Sequence, residues 1–253
     1  MNSPANCILD SVTFTPKKPL YKGRHHLSVT MFPSRKNACR YMCGTTAEAK
    51  FCVHLEYLLS VSSYTVRPGT IEVASRNFKF DPDIVVTLCD GRTVYFQVDS
   101  YPAPAATPQA RRIEQCKETL SGAGLIYQHT APDFFGSPAI TLNLELLYHY
   151  SHSGSLEKSN ESVASLRKHF TGKATIQSLV DCGHSQADVT LALFNRQIKC
   201  NLNYPLRPCS PIWIDNENPS GNQDWRTLPV LWPTFPSDGS IRRSRATEIF
   251  TQR

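Results

Sequence analysis

Two apolar stretches in the middle of the chain set its pattern. Phe80-Asp81-Pro82-Asp83-Ile84-Val85-Val86 and Val94-Tyr95-Phe96-Gln97-Val98-Asp99 are rich in β-branched and aromatic residues. They predict two strands, with Asp90-Gly91 as the hairpin turn between them. Upstream, the apolar positions Phe51, Leu55, Leu58 and Leu59 recur at helical spacing and predict a helix over 46–60. Thr45 or Thr46 is its N-cap, and Glu48 lies in its first turn. Ser62, Tyr64 and Val66 alternate toward a strand that ends in the turn Arg67-Pro68-Gly69, and Ile71–Val73 predicts another. A short extended piece is expected at 29–34. After a proline-rich loop at 101–108, a helix is predicted over 109–122, ended by Gly122, and then a strand over 124–130. Helix, strands, helix, strand is a mixed α/β order.

The second half is patterned differently. Leu142–Tyr150 is helical, 151–160 is Ser/Gly/His-rich and reads as a linker, and helices are predicted at 161–170, 173–181 and 186–196. Gly183 ends the second of these, and Ser185 with Asp188 starts the third in the manner of a capping box. Strands at 198–202 and 211–214 follow. Three short helices and a two-stranded wing form a winged-helix pattern over 141–214. The presumptive recognition helix, Gln186 to Gln197, carries only Arg196 as a basic residue. That favours contact with protein over insertion in a DNA groove.

Charge adds two segments to this picture. Residues 1–30 form a basic, proline-bearing arm with Lys17, Lys18, Lys22, Arg24, His25 and His26, continued by Arg35 and Lys36. It is expected to be solvated, or to lie along phosphates. Residues 215–253 hold Trp225, Trp232 and the cluster Arg242, Arg243 and Arg245, and read as a disordered or partner-binding tail. The net charge of +6 over 253 residues tilts the chain mildly toward polyanions. Nine cysteines without small-scaffold spacing argue against a disulfide framework. Cys39, Cys43, Cys52 and His54 invite a zinc reading, but their spacing is loose and suits buried thiols better. No apolar run is long enough to span a bilayer and no signal peptide is evident, so no membrane partner and a cytoplasmic location are expected.

The candidate chemistry lies in the hairpin. Side chains alternate along a strand, so Gln97 and Asp99 share a face, and the hairpin brings them beside Asp83. Oxygens converging at the end of two apolar strands suit a hard cation such as Mg²⁺, although the same residues also suit a solvated turn. Glu56, beside the helical apolar stripe, adds a fourth oxygen donor.

These fragments carry a resemblance. An acid on a helix, then PD, then Gln-x-acid, is close to the E…PD…(E/Q)xK order of restriction-endonuclease-like nucleases. Phe32-Pro33-Ser34-Arg35-Lys36-Asn37, His54-Leu55-Glu56-Tyr57, the PD strand, the Gln97 strand and the winged-helix pattern occur in order over residues 30–215. Together they resemble the TnsA family, the endonuclease subunit of heteromeric, including CRISPR-associated, bacterial transposons. The resemblance implies a restriction-endonuclease-like domain over 31–140, a mixed sheet flanked by helices, followed by the winged helix. It implies cleavage at the 5′ ends of transposon DNA, while a DDE transposase (TnsB-like) processes the 3′ ends. It also implies an AAA+ ATPase regulator (TnsC-like) docked on the C-terminal region, all at the bacterial nucleoid. Position by position, Glu56 matches the helix acid, Asp83 the main metal ligand and Gln97 the second, with the Val98 carbonyl completing a site for Mg²⁺ or Mn²⁺. Asp99 stands where the family has lysine. Lys79, Lys117, Arg111 or Arg112 are the candidates to supply the missing positive charge. A catalytically impaired assembly subunit, bridging transposase and ATPase, is the alternative; a solitary nuclease is a third.

Overall fold

The computed structural model describes residues 12–17, 29–169 and 174–214. They divide into two compact units, one through Pro132 and one from Asp133. The chain is a mixed α/β protein.

The first unit contains β1 (Val12–Pro16), β2 (Thr30–Ser34), β3 (Cys39–Cys43), α1 (Thr46–Tyr57), β4 (Val61–Val66), β5 (Gly69–Val73), β6 (Phe78–Phe80), β7 (Ile84–Leu88), β8 (Thr93–Val98), α2 (Pro108–Gly122) and β9 (Ile126–Thr130). Its main sheet has the order β4-β7-β8-β9. The first two pairings are antiparallel and β8–β9 is parallel, with α2 in the crossover. A smaller sheet runs β1-β5-β6, and β2-β3 is a separate hairpin.

The period-2 alternation of the apolar strands sorts the main sheet into two buried faces. On one, Phe96 meets Phe51 of α1 with ring centroids 4.9 Å apart. On the other, Val85, Tyr95 and Tyr127 pack with Cys116 and Leu120 of α2 and with Ile71, Val73 and Phe80 of the small sheet. Both helices are capped as their sequences require. Thr45 accepts the Glu48 N–H at 3.0 Å, and Thr107 accepts the Ala110 N–H at 3.2 Å ahead of Pro108. Gly124, at φ +76°, terminates α2. Its own N–H donates to Ser121 O and that of Leu125 to Leu120 O, the Schellman pattern, so the stop signal is this glycine and not Gly122.

Three expectations change here. The strand expected over 80–86 is two strands, because Pro82 lacks an N–H and the chain leaves the small sheet at Phe80 to enter the main sheet at Ile84. In β4 a register shift between Val61 and Ser63 resets the alternation, so Val61, Tyr64 and Val66 are buried while Ser62 is exposed. Part of the expected arm is ordered: Val12–Pro16 pairs antiparallel with β5. The remainder of that arm, 1–11 and 18–28, lies outside the described residues.

The second unit contains α3 (Pro138–Ser151), α4 (Leu156–His169), β10 (Ala174–Thr175), α5 (Ile176–Asp181), α6 (Gln186–Phe194), β11 (Lys199–Cys200) and β12 (Pro211–Trp213). The three short strands form an antiparallel sheet in the order β10-β12-β11. The division falls earlier than the expected 140/141 because α3 belongs wholly to this unit. Asn143 donates to the carbonyls of Leu202 and Tyr204 and accepts the Leu206 N–H. The expected linker is also shorter, since α4 begins at Leu156. Its serines are buried without penalty: Ser162 donates to Lys158 O and Ser159 to Gln197 Oε1. Gly183, at φ +91°, ends α5 as the sequence predicts. The tail expected over 215–253 lies outside the described residues. Among the described residues no helix is long and apolar enough to cross a membrane.

Candidate functional site

The site is built where β4 and β8 end and β7 begins. Asp83 immediately precedes β7. Its N–H donates to Phe96 O at 2.9 Å, and its Oδ2 accepts the Val98 N–H at 2.9 Å, which locks the carboxylate across the hairpin. Antiparallel pairing of β4 with β7 puts the residue after Val66 opposite Asp83, and the Arg67 N–H donates to Asp83 O at 2.6 Å.

Parallel pairing of β8 with β9 sets Gln97 beside His129 and Tyr95 beside Tyr127. The Tyr127 hydroxyl donates to Gln97 Oε1 at 3.1 Å. His129 Nε2 lies 2.7 Å from Asp99 Oδ2, and Gln109, in the first turn of α2, donates to the same oxygen at 2.8 Å. Asp99 is therefore held by two neighbours from two elements. Asp83, Gln97 and Asp99 gather as the alternation predicts, and burial of Tyr127 among them pushes its hydroxyl pKa up, with the Asp99 and Asp83 charges adding to the rise.

Glu56 is not part of this group. It sits at the C-terminal end of α1, 7% exposed, and accepts from the Ser34 hydroxyl at 2.6 Å, the Tyr64 hydroxyl at 2.7 Å and the Lys36 N–H at 3.1 Å. Asn37 completes the network by accepting the Tyr64 N–H at 3.1 Å and donating to Ser34. The FPSRKN stretch, the end of β2 with the start of the β2–β3 turn, thus clasps Glu56, and Glu56 is a structural acid and not a metal ligand beside Asp83. The acid that α1 brings to Asp83 is Glu48, eight residues earlier and about 12 Å away along the helix axis.

Glu48 is 1% exposed and accepts the Gly44 N–H at 2.8 Å. One nitrogen of Arg67, Nη2, lies 3.7 Å from Glu48 Oε1 and 3.9 Å from Asp83 Oδ1. Burial raises the pKa of both acids above their ordinary values. The Gly44 N–H and Arg67 oppose the rise at Glu48, and the Val98 N–H and Arg67 oppose it at Asp83, where the charge of Asp99 adds to it. Two of the expected cations pair elsewhere: Lys79 with Glu72 at 3.1 Å, and Lys117 with Glu114 at 3.6 Å. Arg112 acts on Asp81, on Cys116 and on Tyr127 of the cluster, and the charge of Lys17 joins that of Arg67 at Asp83.

From the sequence Glu48 reads only as a first-turn helix residue and Arg67 only as a turn residue. α1 runs back into antiparallel β4, so only the first turn of the helix can meet the end of β4 that faces Asp83.

Hard oxygens make up the donor set: the Asp83 and Glu48 carboxylates, the Gln97 amide and the Val98 carbonyl. Mg²⁺ or Mn²⁺ needs one or two carboxylates and keeps several waters, so the set fits such an ion in kind. It is not a cage. Among the described residues no group of three or more His, Cys, Asp or Glu side chains is placed to hold a metal. Cys39 is exposed, whereas Cys43 and Cys52 are buried. Comparison with protein-family models and with curated proteins finds no match to this chain.

Proposed function

We propose that this chain is the strand-cutting subunit of a TnsA-like heteromeric transposon, hydrolysing phosphodiesters with the help of a divalent cation. The observation that carries the reading is the convergence of Glu48, Asp83, Gln97 and Asp99 at one end of the main sheet. The order α1, β4, β7, β8, α2, β9 around that sheet supports a restriction-endonuclease-like core. The second unit, with helices α3 to α6 and its β10-β12-β11 sheet, supports the winged helix.

In this reading Asp83, Gln97 and the Val98 carbonyl hold Mg²⁺ or Mn²⁺, and Glu48 replaces Glu56 as the helix acid. The ion supplies Lewis acidity at the scissile phosphate and eases ionisation of water. Asp99 cannot neutralise phosphate charge as the family lysine does. It orients His129 instead, and the pair accepts the proton of the attacking water. Arg67, one-third exposed beside the acids, supplies the positive charge that Asp99 lacks.

The winged-helix unit serves protein partners. Helix α6 is buried from Asp188 through Phe194 and packs against α3 and α4, which supports protein contact over insertion in a DNA groove. A DDE transposase and an AAA+ ATPase regulator are the partners, at the bacterial nucleoid.

The test is supercoiled or transposon-end DNA with Mg²⁺ or Mn²⁺ and the partner transposase. Wild type cuts at the 5′ ends, and Asp83→Ala loses at least about a hundredfold in rate. Identical products from both end the hydrolytic reading. Two observations favour a second reading, an assembly subunit with an idle site: Arg67 lies against both acids, and Asp99 is tied to His129 and Gln109. Asp99→Lys separates the two. A large gain in cleavage marks a decayed site, and a loss marks an acid in use.

A further inference from the structure

Resting on the reading of this cluster as a divalent-cation site, we propose that Arg67 is the resting counter-ion of Glu48 and Asp83, which the cation displaces, turning the guanidinium toward a nucleic-acid phosphate. Three observations support this. The two acids are inward-facing and share one cationic atom, Arg67 Nη2. At 3.7 and 3.9 Å its contacts are much longer than the 2.7–2.9 Å of a charge-assisted hydrogen bond, so the guanidinium neutralises the pair without being clamped by it. Its backbone, in contrast, is fixed: Arg67 sits at φ +50° and its N–H donates to Asp83 O at 2.6 Å.

The Cα is thus anchored, and the side chain beyond it is 37% exposed. The guanidinium lies against Gly44, where an added Cβ would come 2.8 Å from Arg67 Nη1.

Charge decides the exchange. A dication carries twice the charge of a guanidinium and approaches carboxylate oxygens to about 2.1 Å, so its attraction to the pair is several times larger at equal dielectric. Because Mg²⁺ keeps most of its waters, it enters without full dehydration. Once displaced, a guanidinium tethered within reach of the acids presents a planar fork to a phosphodiester. Cation and nucleic acid then bind with positive coupling, each raising the affinity of the other by the same factor.

The experiment titrates Mn²⁺ into wild type, Arg67→Gln, Arg67→Lys and Asp83→Asn, following the free-ion signal by electron paramagnetic resonance. Arg67→Gln is expected to bind Mn²⁺ about tenfold more tightly than wild type, Arg67→Lys within about threefold of it, and Asp83→Asn far more weakly. Equal affinities of wild type and Arg67→Gln overturn the counter-ion role while leaving the cation site standing. Absence of Mn²⁺ binding by every variant overturns the site and the proposal together. Should Arg67→Gln fail to fold, ¹⁵N-labelled wild type gives the answer directly. Mg²⁺ is expected to shift the Arg67 Nε–H resonance, and a resonance unmoved at saturating Mg²⁺ refutes displacement.

Discussion

The two ends of helix α1 carry the same residue to opposite ends. Glu48 and Glu56 are both glutamates and both buried, two turns and a residue apart. Glu56 meets donors that were brought to it. The β2–β3 turn and β4 deliver two hydroxyls and an N–H within 3.1 Å, so its charge is spent on holding the hairpin to the helix. Glu48 has one close donor, the Gly44 N–H, and faces a second carboxylate across a loosely held arginine. A buried acid with a full set of donors is architecture. A buried acid facing another, with an exchangeable cation between, is where ligand binding can repay the cost of burial.

Removing each acid separates the two roles. Glu56→Ala deprives the buried Ser34 and Tyr64 hydroxyls of their common acceptor and opens a void under the hairpin. A loss of about 3–5 kcal/mol in the unfolding free energy is expected, by urea denaturation. Glu48→Gln keeps an acceptor for the Gly44 N–H and removes a desolvated charge, so its stability is expected within about 1 kcal/mol of wild type. Its cleavage of DNA falls at least about a hundredfold. Equal losses of stability in the two variants would break the distinction between the ends.

A third ionisable group on the same helix gives it a pH signature. His54 is fully buried, and burial lowers its pKa from 6.5 to about 4. The unfolded chain takes up a proton near pH 6.5 and the folded chain does not until about pH 4. The stabilisation is therefore complete above pH 6.5 and disappears as pH falls toward 4, amounting to roughly 3 kcal/mol. Denaturation across that window should show this slope in wild type, and its absence in His54→Leu. If His54→Leu keeps the full slope, other groups are responsible for it.

The architecture was largely legible in the sequence, because alternation and helical spacing report burial directly. The Asp90-Gly91 turn forms as expected, with Gly91 at φ +85°, and Gln97 and Asp99 share the face that their spacing requires. Pairing across the chain was not legible. Nothing local distinguishes Glu48 from Glu56; the choice follows from the antiparallel return of β4, which places the first turn of α1 near Asp83. Arg67 reads locally as a turn residue for the same reason, and its partners lie 19 residues before it and 16 after it. The clasp on Glu56 was equally hidden, since Ser34 and Tyr64 lie 22 residues before it and 8 after it.

The smallest change tests whether the clasp and the cluster are energetically separate. Ala38 closes the β2–β3 turn at φ +50°, a left-handed conformation that a Cβ disfavours, and its N–H donates to Arg35 O at 3.2 Å. Ala38→Gly relieves the conformational cost of about 1–2 kcal/mol. It also gives the unfolded chain more freedom, worth about 0.4–1 kcal/mol. The net gain is about 0.5–1 kcal/mol, a rise in Tm of roughly 1–4 °C, readable by calorimetry. Because the turn bears on Glu56 and not on Glu48, Mn²⁺ affinity and cleavage rate should stay at their wild-type values while Tm rises. A change in either, from a substitution on an exposed turn, would show that the hairpin and the acid pair form one unit, and that α1 transmits between ends that its hydrogen bonds keep apart.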